Sequence, residues 1–204
     1  MKTKLFALML LSAMALGAIT SCSDETFTPV NPPEGNTPME MTLITETQEA
    51  ALRLVGTKTA TINWGDGSRN ETHDISGDWQ VFQHSYSDKS SHTITITGVN
   101  ITTLMCYYNQ LISLDVSNNT ALSSLDCYGN QLTSLDMSGN TALINFDCGN
   151  NLLSNSALNK LFETLHDNTL GRTKTIRIFD NPGTNTCNPN IAQARGWVVN
   201  TTEL

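Results

Sequence analysis

Apolar side chains recur with a period of 21 residues in the middle of the chain. The unit L-x-C-x-x-N-x-L-x-x-L-D-[VM]-S-x-N-T-A-L runs from Leu104 to Leu122 and again from Leu125 to Leu143. The columns that share the period are Leu104, Leu125 and Phe146; Cys106, Cys127 and Cys148; Asn109, Asn130 and Asn151; and Leu111, Leu132 and Leu153. One unit cannot bury its apolar face alone, so the pattern predicts stacked units that each add a strand to a parallel sheet.

The cysteine and asparagine columns are predicted to be structural. The cysteines share the inward face of each strand with leucine, which is typical of small buried apolar side chains. An asparagine directly after a strand can donate its amide to backbone carbonyls that a tight turn leaves unpaired. The predicted ladder comprises Cys106, Cys127, Cys148, Asn109, Asn130, Asn151 and Asn181.

Period-two alternation before the repeats predicts a different kind of segment. Short runs of this type follow one another over residues 39–99, with Asp66-Gly67 as a strong turn signal between two of them. They predict a small β-sandwich. Its expected core is Ile62, Trp64, Val81, Phe82, Ile94 and Ile96.

Residues 154–204 depart from the period and predict a terminal cap. Ser154 or Asn155 can cap a helix whose apolar face extends to Leu165. The run from Thr175 to Asn181 restores the strand-plus-asparagine pattern, which predicts a fourth strand of the same sheet. A short helix and a closing strand that buries Trp197 complete the expected cap.

The N-terminus has the pattern of an export signal. Lys2 and Lys4 precede an apolar run that ends at Ile19, and small polar residues lead directly to Cys22. This resembles the lipobox of bacterial lipoproteins, which implies removal of residues 1–21 and a lipid on Cys22. Residues 22–38 are rich in proline, glycine and polar side chains and are predicted to be a flexible tether.

Charge and motif content exclude several functions. The formal net charge is −8, and loss of the leader removes two lysines, so the chain should repel nucleic acid. The four histidines fit no metalloprotease or catalytic-triad spacing, and phosphate-binding glycine loops are absent from the sequence. We therefore expect no enzyme activity, no cofactor and no metal.

Taken together, the motifs resemble those of leucine-rich-repeat surface lipoproteins of Bacteroides-type bacteria. The resemblance is carried by the internalin-like repeats, by WGDG at 64–67, which is similar to polycystic-kidney-disease-type modules, and by the ending over 181–200. It implies a leucine-rich-repeat solenoid of mixed α/β class with a parallel concave sheet, a small N-terminal β-sandwich and an α/β cap. The expected division is 1–21 leader, 22–38 tether, 39–99 sandwich, 100–153 repeats and 154–204 cap.

The side chains that flank the inward ones supply the candidate binding site, on the predicted concave face. They are Met105, Tyr107, Asp126, Tyr128, Asp147, Arg177 and Phe179. Aromatic residues, methionine and arginine are enriched at interfaces, so this strip could bind a ligand. Equally, a predicted stack of Tyr107 on Tyr128 could only stabilise the sheet.

The expected function is an adhesin-like, non-catalytic binding module that holds a protein or glycan at the cell surface. Its membrane partner would be the outer membrane, reached through the lipid on Cys22. The alternative is a structural, lipid-anchored envelope protein without a dedicated ligand. Deciding between them requires the arrangement of the strip.

Overall fold

Alternating apolar and polar residues build six strands in the first part of the chain. The computed structural model describes residues 38–169 and 171–202, so the predicted leader, Cys22 and the tether up to residue 37 lie outside the described residues. The six strands are β1 (Met39–Thr45), β2 (Glu49–Val55), β3 (Thr59–Asn63), β4 (Glu71–Asp74), β5 (Gln80–Ser85) and β6 (His92–Gly98). In β1, Met41 and Leu43 are buried while their neighbours are partly exposed, as the period of two requires.

One predicted core residue of this segment is placed wrongly. Val81 is 51% exposed, whereas the other five expected core residues are buried. Val81 lies on β5, an edge strand whose next residue, Phe82, faces inward. Since side chains alternate along a strand, adjacent residues cannot both enter the core, and the larger Phe82 occupies it.

The WGDG segment ties β3 to β5. Asp66 Oδ2 lies 2.7 Å from His84 Nε2, and the His84 ring stacks on Trp64 at a centroid distance of 5.0 Å. The hydroxyl of Tyr86 donates to the carbonyl oxygen of Trp64 at 2.9 Å. Hydrogen bonds from Ser68, followed by that with His84, hold the pKa of Asp66 well below its usual range. The carboxylate therefore stays charged and serves as an anchor of this turn.

The repeats form short strands in strict register. They contain β7 (Thr103–Met105), β8 (Leu111–Asp115), β9 (Ser124–Asp126) and β10 (Asn145–Asp147). β7, β9 and β10 are parallel neighbours, and Leu104, Leu125 and Phe146 lie side by side across them. The 21-residue period thus corresponds to one step across the sheet.

The cap contains the helices and the last two strands. Its elements are α1 (Asn155–Thr164), β11 (Lys174–Arg177), α2 (Asn190–Gln193) and β12 (Trp197–Asn200). The side chain of Ser154 accepts a hydrogen bond from Ala157 N and so caps α1, whose buried face is Leu158, Leu161 and Phe162. β11 continues the parallel sheet beside β10, and β12 lies beside β11 with Trp197 buried.

All these strands belong to two sheets that extend across the predicted boundary at residue 99. The order of the five-stranded sheet is β4-β3-β6-β1-β8, and that of the seven-stranded sheet is β12-β11-β10-β9-β7-β2-β5. β2 pairs antiparallel with β7, and β1 pairs antiparallel with β8. The strands before residue 99 therefore supply the neighbours of the first repeat on both sides.

The expected fold class, a leucine-rich-repeat solenoid of mixed α/β type, is wrong. The described residues contain twelve strands in two sheets and only two helices, of ten and four residues, so the fold is mostly β. In each 21-residue unit, the half that follows the strand and its turn contains no helix. It is extended instead, and in the first unit it forms β8, which pairs with β1.

Candidate ligand-binding face

Strand alternation in the seven-stranded sheet separates a buried column from an accessible one. Leu104, Leu125, Phe146 and Ile176 face inward and are almost fully buried. We use the name open face for the outward-directed side chains on and directly after β7, β9, β10 and β11, of which all are at least partly exposed except Phe179, at 7% exposure. It consists of Met105, Tyr107, Ser124, Asp126, Tyr128, Asn145, Asp147, Thr175, Arg177 and Phe179.

Two adjoining cavities lie on the open face. One has a volume of about 260 Å³ and is lined by Met105, both aspartates and Arg177, with the polar side chains of Ser124, Asn145 and Thr175 beside them. The other has a volume of about 290 Å³ and is lined by Tyr107, Asp126, Tyr128, Asp147 and Phe179. Both share Asp126 and Asp147. The structure therefore brings all seven sequence-predicted binding residues into one continuous region.

The two shared aspartates occupy equivalent positions in neighbouring strands. Asp126 and Asp147 are direct neighbours in the β9–β10 register. Each accepts a hydrogen bond two residues on, Asp126 Oδ1 from Tyr128 N at 3.1 Å and Asp147 Oδ1 from Gly149 N at 3.0 Å. These bonds fix the carboxylates at the ends of their strands and aim them in the same direction.

Electrostatics distinguish the two carboxylates. Arg177 Nη1 lies 3.5 Å from Asp147 Oδ2, whereas no lysine, arginine or histidine within residues 38–169 and 171–202 forms an ion pair with Asp126. Burial raises the pKa of both aspartates, the negative charge of Asp147 raises that of Asp126 further, and the positive charge of Arg177 lowers the pKa of both. The open face thus holds a partly buried carboxylate whose charge is not neutralised by an ion pair.

Aromatic rings border this carboxylate. Tyr108 packs edge-on against Tyr107 at 6.1 Å and against Tyr128 at 5.2 Å, and Tyr128 packs against Phe179 at 5.4 Å with a 33° tilt. The Arg53 guanidinium lies 5.6 Å from the ring centroid of Tyr107. The ring contacts between Tyr107 and Tyr128 pass through Tyr108, which is 62% exposed.

Sequence reasoning missed Tyr108 and Arg53. Tyr108 follows the strand, where alternation no longer predicts direction, and its backbone is left-handed with φ +54°. The signal for it is its place directly before a ladder asparagine. Arg53 lies on β2, which the sequence assigned to a separate sandwich, so its proximity to the repeats had no local signal.

The asparagine column connects successive units through their backbones. Asn130 Oδ1 accepts from the N–H groups of Asn109 and Leu111, both at 3.0 Å, and its amide donates to Cys106 O and Cys127 O. One and two strands further on, Asn151 and Asn181 accept from Leu132 N and Leu153 N and donate to Cys127 O and Cys148 O, respectively. These side chains therefore hold the strands that carry the open face at a fixed spacing.

The cysteine column lies beneath the open face. Cys106, Cys127 and Cys148 are fully buried and carry free thiols. Cys127 Sγ donates to Asp147 O at 3.3 Å, and Cys148 Sγ donates to Arg177 O at 3.4 Å. Burial raises the pKa of all three thiols, which keeps them protonated and poorly nucleophilic.

The open face carries several kinds of group that can contact a ligand. Carboxylates, amides, hydroxyls, a guanidinium and ring faces can hold a ligand by hydrogen bonds, ion pairs and stacking. Within the described ranges, no group of three or more histidine, cysteine, aspartate or glutamate side chains is arranged to hold a metal ion. Comparison of the chain with models of protein families, with curated proteins and with solved structures gives no match.

Proposed function

We propose that the protein is a non-catalytic binding module that holds a macromolecular ligand on the open face. The observation that carries the proposal is the convergence of four strands' outward side chains on two adjoining cavities. Three aromatic side chains and an arginine within that region are of the types that dominate binding energy in protein interfaces. The register of the parallel strands fixes them before any ligand arrives, which lowers the entropy lost on binding.

A double substitution on the open face tests this function. Tyr107→Ser with Tyr128→Ser removes two ring faces from the lining of one cavity, while the core beneath stays intact. Ligands captured by the wild-type protein from host proteins and glycans should lose at least about tenfold in affinity. Ile112→Ser is the matched control, because Ile112 is exposed on β8 in the other sheet. Unchanged binding by the double variant would rule out the open face as the site.

We also propose that this module is located on the outer surface of a bacterial outer membrane. The support is the leader and Cys22 in the sequence, and in the described part no helix is long and apolar enough to cross a bilayer. Attachment through a lipid would leave the folded residues outside the membrane. Protease added to intact cells should remove the protein, and Cys22→Ser should release it from the membrane fraction. Protection until the outer membrane is opened would contradict the surface location.

A further inference from the structure

Two arginines of the chain itself contact side chains of the open face. The Arg177 guanidinium lies 3.5 Å from the Asp147 carboxylate, and the Arg53 guanidinium lies over the ring of Tyr107. These are the two contacts by which proteins recognise a cationic side chain, a carboxylate ion pair and a cation–π contact. Both are made on this face by the chain's own arginines.

Asp126 has similar surroundings but forms no ion pair within the described residues; Arg177, which pairs with Asp147, acts on it only through its charge. It lies next to Asp147 across the β9–β10 pair and lines both cavities, and the second of these is otherwise bordered by rings and Asp147. Its Oδ1 accepts from Tyr128 N, and within the described residues it forms no ion pair. A cation placed there would meet a carboxylate and aromatic faces together.

Resting on the proposed binding function, we propose that the open face receives the guanidinium or ammonium group of an arginine or lysine side chain of a protein partner, with Asp126 as its carboxylate contact. The cavity of about 290 Å³ beside Asp126 accommodates such a side chain, with its methylene groups against Tyr128 and Phe179. A positive charge there offsets the repulsion between Asp126 and Asp147, which a neutral ligand leaves in place. The net charge of −8 attracts a basic partner over a longer range.

Small probes test the ligand chemistry directly. The backbone amide resonances of the full chain are followed while N-acetyl-arginine amide, N-acetyl-lysine amide or the neutral N-acetyl-glutamine amide is added. The two cationic probes should shift the resonances of Asp126, Tyr128 and Gly149 saturably, and added salt should weaken the effect. The glutamine probe should leave these resonances unchanged at the same concentrations.

Two charge-matched variants assign the contact. Asp126→Asn keeps the acceptor for Tyr128 N but removes the charge, so the affinity for the arginine probe should fall about tenfold. Asp136→Asn removes one charge from an exposed carboxylate that lines a different cavity and should leave binding unchanged. Equal losses in both variants would show a diffuse effect of net charge and would overturn the assignment.

Two further outcomes would overturn the cation proposal while leaving the binding function to be judged separately. A methyl glycoside that shifts the open-face resonances when the arginine probe does not would show that the ligand is a glycan. Absence of any shift with the cationic probes at tens of millimolar would also reject the proposal. The tyrosine double variant then decides, by itself, whether the open face binds a macromolecule at all.

Discussion

At the scale of single residues, one backbone conformation recurs through the repeats. Tyr108, Gly129, Asn150 and Asp180 each precede a ladder asparagine, and each has a left-handed φ, between +47° and +67°. Only glycine adopts this region without steric cost. Gly129 has a second constraint, because a Cβ there would lie 2.5 Å from Cε1 of the Tyr108 ring.

Gly129→Ala should destabilise the protein for both reasons. The left-handed backbone costs about 1–2 kcal/mol, and displacement of the tyrosine ring adds about 1–3 kcal/mol. Gly67→Ala is the control, since Gly67 also has a left-handed φ of +82°, but a Cβ at this position would have no neighbouring atom within 4 Å. Urea unfolding should show the larger loss for Gly129→Ala. Equal losses would mean that the Tyr108 ring moves aside freely.

Replacement of a ladder asparagine should also destabilise the protein. Asn130→Ala removes the acceptor of two buried N–H groups and a donor to two carbonyls, so the free energy of unfolding should fall by at least about 3 kcal/mol. Asn118→Ala, at an exposed position in the preceding turn, should cost less than about 1 kcal/mol. Chemical denaturation of the two variants checks this. A small loss for Asn130→Ala would show that other groups or water take over its bonds.

The 21-residue period predicted which side chains of the repeats face inward. The columns of leucine, cysteine and asparagine follow from spacing alone, because each position sees the same neighbours one unit away. Spacing placed Val81 wrongly and gave no prediction for Tyr108, for two different reasons. Val81 lies beside a larger apolar residue on an edge strand, and Tyr108 lies where strand alternation has ended.

At the scale of elements, the ends of β9 and β10 place two like charges side by side. The folded state raises the pKa of Asp126, so its charged form is disfavoured relative to the unfolded chain. Above the raised pKa this lowers stability. As the pH falls through that value toward the unfolded pKa of about 3.9, protonation removes the penalty.

Asp126→Asn should therefore stabilise the protein at pH 7, and the gain should shrink as the pH approaches 4. Thermal unfolding of the variant and the wild type across this range measures the difference. Asp136→Asn, which replaces an exposed carboxylate outside the open face, is the charge-matched control. If Asp126→Asn were less stable than the wild type at pH 7, the charged carboxylate would be a net stabilising group.

Helices and strands could be predicted where the local sequence signal was strong. They could not be predicted where only pairing with another strand defines the element. α1 begins directly after its capping residue, Ser154, and β11 restores the repeat pattern. β4, a short edge strand with four polar residues, carries no apolar period, so only its pairing with β3 defines it. The mixed α/β class was wrong because the only helices within the described residues are the two short ones of the cap, while twelve strands form the rest of the fold.

At the scale of the whole molecule, the strands before residue 99 continue the ladders of the repeats. The Asn109 side chain exchanges two hydrogen bonds with the backbone of Ala51 on β2, at 2.8 and 2.9 Å. On the other side Asn119 Nδ2 donates to Glu40 O on β1. β1 and β2 therefore provide the first repeat with the hydrogen-bonding partners that each later repeat obtains from its neighbouring repeat.

A fragment of residues 100–204 should fail to fold by itself. It would lose β2 beside β7 and β1 beside β8, and would expose apolar side chains, including Leu104 and Leu114, that the N-terminal strands cover. Residues 38–204 should retain a cooperative urea transition, whereas the fragment should show none by circular dichroism. A cooperative transition in the fragment would establish the repeats and cap as an independent domain.

The shared sheets could not be predicted from the sequence. Pairing of β1 with β8 joins residues about seventy positions apart, and no periodicity connects the two segments. The alternation in β1 and β2 shows that each buries one face, but not which strand lies beside it.

Because each unit pairs with the next in the same register and through equivalent asparagine hydrogen bonds, the side chains of the open face recur at a fixed spacing. An in-frame duplication of one 21-residue unit between β9 and β10 would find equivalent neighbours on both sides. It would lengthen the face by one strand spacing, about 4.8 Å, without altering either end. Recombination between repeats could thus change the reach of the site in evolution while the rest of the protein stayed the same.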